Sequence, residues 1–357
     1  MKAFFGILGL SGALAGAEVL SIAHPEEDFD VRRTVVWTPT FQAGWDAMNE
    51  GLGGPPKESG SELGKRLDTF RWEPEKVMPQ GRWKVWSGEA TRDFFLKVNG
   101  EAADFLGEDR GPFREVEGTR PGAVAFYSLL DAQVVFVKPF YRSRKVPLEF
   151  KSMAGREDRV AFFGVTGEDS GDYRDEVRVL AWRRKAGFHA VELRCRQEEF
   201  GSVVLYQPPG RQDFAAACRW LRVWRKGWHA AVGENAGLHS DPALHSGDRL
   251  QVPYLKLSAQ GDFKEALQGG RFYGRPGDPY VVNAARQRVE FALHERGAEV
   301  RAAAEGGMDP FGAAPRTVPR DLVYDRPFFV FLWRDGAEWP YFGAWVGDSA
   351  AMVEFEE

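Results

Sequence analysis

Cysteine is nearly absent: Cys195 and Cys218 are the only two in 357 residues. Two thiols cannot form a disulfide scaffold, so the core must come from apolar packing, with the pair free or bridged once. The six histidines show no His-x-x-x-His spacing, and no Cys-x-x-Cys occurs, so neither metal nor cofactor is expected. Beyond the first residues no apolar run nears the ~20 residues that span a bilayer. Neither sign of charge dominates, and a net charge of -5 argues against nucleic acid as the main partner. Gly-x-Ser-x-Gly, a phosphate-cradling Gly-x-x-x-x-Gly-Lys and His-Glu-x-x-His are all missing, which argues against an enzyme. Carboxylate pairs such as Glu198-Glu199 read as solvated turn residues. The twelve tryptophans are scattered, which suits packing better than a carbohydrate-binding stripe.

What is present begins with a leader pattern. Lys2 precedes an apolar stretch, and Ala15-Gly16-Ala17 offers small residues for cleavage. Residues 1–17 are therefore expected to be a signal peptide. Residues 18–357 then form one domain, secreted or periplasmic, with no linker dividing them.

Thr34 to Trp37 is a short strand stopped by Pro39. Thr40 can cap a helix over Phe41 to Asn49, and Gly51 to Gly64 reads as loop. Arg82 to Trp86 reads as a strand, Thr91 to Leu106 as an amphipathic helix and Ala123 to Phe136 as one long apolar strand. Val177 to Trp182, Phe188 to Arg194 and Ser202 to Gln207 form a meander, followed by a helix from Asp213 to Trp224. Leu250 to Leu257 reads as a strand, and Phe263 to Leu267 as a helix.

The C-terminal quarter says most. Val289 to Leu293 alternates like a half-buried strand. His294-Glu295-Arg296-Gly297-Ala298-Glu299-Val300-Arg301-Ala302-Ala303-Ala304-Glu305 follows, mostly small residues. After a Gly/Pro-rich stretch come Leu322 to Leu332, containing Asp325-Arg326-Pro327-Phe328, and then Phe342-Gly343-Ala344-Trp345-Val346. This arrangement resembles the serpin family: its reactive-loop hinge at Glu295-Arg296-Gly297-Ala298-Glu299, its C-terminal signature at Asp325 to Phe328, and its closing strand at Phe342 to Val346. Thr38-Pro39-Thr40 stands where the family has Ser-Pro-x-Ser, and Leu250 to Leu257 resembles the family's Leu-Pro-Lys-Phe strand.

The resemblance implies an α+β fold with three sheets and surrounding helices, a reactive loop at about 297–321, and N-terminal helices shortened or missing. It also implies a monomer that traps a target protease. Once cut, the loop inserts into the main sheet as a new strand and drags the acylated enzyme along. The chain's own residues allow such insertion. Ala298, Val300, Ala302 and Ala304 fall on one strand face and are small and apolar; Glu299 and Arg301 fall on the other. Roughly ten new ladder bonds at about 0.5–1.5 kcal/mol each would release on the order of 5–15 kcal/mol.

Counting forward from the hinge places the scissile bond at Phe311–Gly312, which suits a chymotrypsin-like enzyme. Counting back from Pro327-Phe328 places it at Arg316–Thr317, which suits a trypsin-like one. Where the family carries an asparagine, a breach tryptophan and a shutter histidine, the chain places Asp131, Phe136 and Gln287. Thr38, Thr40 and Gln287 are then the expected partners of Asp131. The short interval between Leu106 and Ala123 implies that the helix normally covering the main sheet is shortened or absent.

Overall fold

The structure is a computed structural model that describes residues 19–53, 61–113, 123–131, 134–183, 187–226, 242–267, 272–273, 279–297 and 319–356. Its apolar strands fall into three large sheets and a hairpin. The seven-stranded sheet runs β1 (Leu20–Ile22), β2 (Val35–Trp37), β18 (Phe342–Val346), β17 (Phe328–Trp333), β11 (Ser202–Gln207), β10 (Phe188–Arg194) and β9 (Val177–Arg183). The four-stranded sheet runs β16 (Asp321–Val323), β12 (Arg249–Pro253), β8 (Phe162–Val165) and β5 (Tyr141–Arg142). The main sheet runs β13 (Leu255–Asp262), β15 (Pro279–Leu293), β4 (Ala123–Leu130) and β3 (Trp83–Glu89), with β14 (Phe272–Tyr273) on the far end of β15. β6 (Leu148–Lys151) and β7 (Glu157–Val160) form the hairpin.

The meander reads through correctly as β9–β10–β11, paired antiparallel. The signature and the closing strand pair as well, with Phe328 opposite Val346 and Leu332 opposite Phe342. Every residue of β17 and β18 is buried, because α5 (Phe214–Lys226) covers one face; Phe214 lies 5.3 Å from Phe329. Cys195 and Cys218 are free and buried, which resolves the pairing question.

Both faces of the main sheet are covered. Beneath it α1 (Thr40–Gly51) packs Phe41 on Phe126 and Phe263 at 5.0 and 4.6 Å. The approach needs Gly44, since a Cβ there would meet the Phe126 ring at 2.6 Å. On the other face lies α4 (Arg92–Leu106), started by Thr91 accepting from the Phe94 amide and stopped by left-handed Gly107. Val98 and Ala102 of α4 join a cluster with Trp86, Tyr127 and Ala284. The helix on this face is α4, already expected from the sequence, and the described residues between Leu106 and Ala123 form no helix, as the short interval implied. The short helices α2 (Glu62–Thr69) and α3 (Pro74–Val77) complete the set.

Several boundaries differ from the sequence reading. Thr40 is the first helical residue of α1; Pro39 holds the cap position, with no side-chain cap bond. The stretch read as loop to Gly64 enters α2 at Glu62, capped by Ser61 accepting from the Gly64 amide. Leu250 to Leu257 is two strands in two sheets: β12 pairs β8 as far as Pro253, the Tyr254 amide continues in that register to Ala161 O, and from Leu255 the chain pairs with β15 as β13. The long strand from Ala123 stops at Leu130, and the chain then crosses to β10, where Phe136 bridges Cys195. The residues after Phe263 form a 3-10 turn, Glu265–Leu267, in place of an α-helix.

The far end of the loop is anchored by a buried ion pair. Arg320, just before β16, donates to Asp248 through its backbone N and both Nε and Nη2, at 2.7, 2.9 and 2.6 Å. Asp248 also accepts from the His245 amide at 2.8 Å. Both side chains are almost wholly buried, so removing one partner strands a charge. Asp248→Ala is expected to cost about 3–5 kcal/mol, read as a lowered urea midpoint; a loss below about 1 kcal/mol would contradict this account.

Candidate functional site: the hinge and the split sheet

The parallel ladder between β15 and β4 holds seven register pairs, from Val281 opposite Ala123 to Arg288 opposite Leu129. Above that point the strands part. β15 continues through Val289–Leu293 paired with β13, and among the described residues nothing pairs with its other edge. β4 stays with β3, and the Asp131 amide donates to Arg82 O at 2.8 Å. The main sheet therefore opens as a Y at the end from which the loop leaves.

The hinge closes the top of that Y. His294 and Gly297 exchange backbone bonds of 3.0 and 3.1 Å, and the Arg296 amide donates to His294 Nδ1 at 3.2 Å. This turn docks on the crossing segment: the Phe136 amide donates to Arg296 O at 3.0 Å, and the Phe140 amide to Glu295 O at 2.8 Å. Gly297 has φ +115°, and a Cβ there would stand 2.3 Å from Val134 O, so only glycine fits. Phe136 is buried against Phe140 and Phe163, with centroids at 4.9 and 6.1 Å.

The Tyr254 hydroxyl donates to Glu295 Oε2 at 2.6 Å. Burial raises the Glu295 carboxyl, but the Tyr254 bond, its own backbone and the charges of His294 and Arg142 outweigh this and leave it below the usual range. Burial first, and then the same carboxylate, push the Tyr254 phenol upward. Sequence reading missed Tyr254. Its signal was its place after Pro253, where the Leu-Pro-Lys-Phe pattern has lysine.

The three residues expected to surround Asp131 do not converge on it. Gln287 lies on the α1 side of the main sheet, in register with Ser128 and donating to Ser21 Oγ at 3.0 Å. Gln287 Oε1 and Ser128 Oγ are buried with no hydrogen-bond partner among the described residues. Asp131 falls on the opposite side, because strand side chains alternate: Val124, Phe126 and Ser128 face α1, while Tyr127, Leu129 and Asp131 face α4. Burial raises its carboxyl, opposed by the charge of Arg82. Thr38 and Thr40 are buried and bond each other at 3.3 Å, and Thr38 also donates to Tyr341 O at 3.0 Å.

Glu295, Gly297 and Phe136 thus meet at the hinge, Gln287 lies deeper in the seam, and Asp131 stands apart. Ala298, Glu299, Val300, Ala302, Ala304, Phe311, Gly312, Arg316 and Thr317 lie outside the described residues.

Known structures share the fold of this chain. Human thyroxine-binding globulin complexed with thyroxine superposes with a TM-score of 0.57 at 12% identity, covering 90% of this chain and 93% of that one. Human glycosylated kallistatin gives 0.54 at 12% identity, covering 89% and 92%. Serpin48 of the insect Tenebrio molitor, described as a highly specific serpin, gives 0.50 at 12% identity, covering 88% and 92%. The chain has the serpin fold. No family model and no curated protein matches its sequence. No helix among the described residues is long and apolar enough to cross a membrane.

Proposed function

We propose that this chain is a secreted or periplasmic suicide inhibitor of a serine or cysteine protease, acting by loop cleavage and strand insertion. The observation that carries this reading is the Y-shaped opening above Arg288 and Leu129, with the hinge at its mouth. A strand entering there meets the free edge of Val289–Leu293 first, so zipping can begin before any ladder bond between β15 and β4 breaks. The alternation of Ala298, Val300, Ala302 and Ala304 suits that path.

Incubation with chymotrypsin and with trypsin tests the reading. An SDS-stable complex with either enzyme is expected, and mass spectrometry of the released C-terminal fragment chooses between Phe311–Gly312 and Arg316–Thr317. Clean cleavage with full retention of protease activity would sink it.

One observation favours a second reading, a non-inhibitory binding protein whose loop is merely a substrate. The segment after α4 straps the seam: Asn99 bonds both the amide and the carbonyl of Phe113, Phe113 lies 4.9 Å from Tyr127 of β4, and Arg288 of β15 donates to Pro112 O at 3.3 Å. Parting the strands must break this strap.

A further inference from the structure

Residues 132–148 contain no acidic side chain, although the whole chain is net negative. Four cations fall in the run: Lys138, Arg142, Arg144 and Lys145. Lys138 is committed, donating to Asp172 O and lying 4.4 Å from the Tyr173 ring. Arg142, Arg144 and Lys145 are exposed; the charge of Arg142 acts on Glu295 without a direct ion pair, and no ion pair is formed by Arg144 or Lys145 among the described residues. Elsewhere exposed arginines have carboxylates close by, as Arg32 has Asp30, Arg156 has Asp158 and Arg249 has Asp321. Val137, Tyr141 and Val146 stand exposed among the cations, at 40%, 49% and 61%. Cations alone would serve to guard the unpaired edge of β5 against aggregation; large apolar side chains beside them work against that purpose.

The position of the patch suggests its use. β5 is one edge of the four-stranded sheet and β16 the other, about 14 Å away at ordinary strand spacing. The turn ending at Gly297 lies beside Phe140, which directly precedes β5, and Pro319 leads into β16, so the described ends on either side of residues 298–318 both lie at this sheet. Arg142 lies 5.6 Å from the ring of Tyr254, the residue that holds Glu295. A protease that engages residues between these two ends would come to the edge of the sheet where β5 lies.

We propose that Val137, Tyr141, Arg142, Arg144, Lys145 and Val146 form a second docking surface for the target protease, one whose active-site rim is acidic. This rests on the inhibitor reading for its partner. Opposite charges flanking the loop would steer encounter, and a three-charge patch of this kind changes association rates by about tenfold at low salt.

The test compares an anionic with a cationic trypsin isoform, which share chemistry and differ in surface charge. Second-order rates of loop cleavage are measured from about 20 mM to about 1 M salt, where screening is nearly complete. The intact chain is expected to react about tenfold faster with the anionic isoform at low salt, with convergence at high salt. R144E/K145E, which leaves Arg142 at the hinge in place, should remove most of that preference while leaving the high-salt rate unchanged. Equal rates for both isoforms, an unaltered preference in the double variant, or no cleavage at all would each overturn the proposal. Cleavage without a stable complex would instead refute the inhibitor reading while leaving the docking measurement valid.

Discussion

Cutting the loop between residues 298 and 318 raises the unfolding midpoint by on the order of 10–30 °C, if the freed segment enters the main sheet. The size of the rise follows from the ladder. Entry replaces seven register pairs between β15 and β4 with two new antiparallel ladders, one on each side of the arriving strand. A net gain of roughly ten bonds, about 0.5–1.5 kcal/mol each, gives on the order of 5–15 kcal/mol. For a chain of this size one kcal/mol moves the midpoint by about 2 °C. Calorimetry on intact and loop-cleaved protein makes the comparison, with Ala302→Asp as the control. That substitution places a carboxylate on the face the strand must bury, so the cleaved variant should lose much of the gain. An unchanged midpoint in the cleaved parent chain, or an equal rise in the variant, would mean that the segment does not insert.

The C-terminal strands were legible because their pattern is local and redundant. Phe328 to Trp333 and Phe342 to Val346 are apolar throughout, suited to a sheet covered on both faces. The turn at Gly297 was legible for a related reason: it occupies a backbone conformation that no other residue adopts cheaply. The opening in the main sheet was not legible. It depends on where β4 leaves β15, and nothing between Ala123 and Leu130 marks Leu129 as the last residue paired with β15. Asp131 was misplaced by a parity error: a match by residue type ignores which face a strand position presents, and one step along the strand reverses it. The first two-thirds of β15 was missed because Ala284, Ala285 and Gln287 are small or polar. They are buried between α1 and α4, whose packing is invisible in a local window.

Acid should weaken the fold well before its carboxylates titrate, and two histidines set the window. His189 is fully enclosed among β9, β10 and β11, edge-on to Tyr324 at 4.5 Å; burial, then Arg326, lowers it from 6.5 to about 3. His24 is lowered to about 4 by burial and then by Arg66. In the unfolded chain both take up a proton near pH 6.5, while in the folded chain both stay neutral. The unfolded state therefore binds more protons, and stability falls as pH drops below 6.5. Each pH unit separating the folded from the unfolded value is worth about 1.4 kcal/mol. His189 thus accounts for about 5 kcal/mol once pH reaches 3, and His24 for about 3 once it reaches 4. Glu27, Asp46, Asp68 and Asp131 are raised, chiefly by burial, and oppose the trend only as they begin to protonate. Between pH 6.5 and 5 the histidines dominate, and the two together should cost about 3–4 kcal/mol. Urea midpoints at pH 7.5, 6.5, 5.5 and 5.0 measure this directly. His189→Gln removes one titrating group and should reduce the decline by about half. A flat profile across that range, or an undiminished slope in the variant, would show that the imidazole of His189 is hydrated in the folded chain and takes up its proton there.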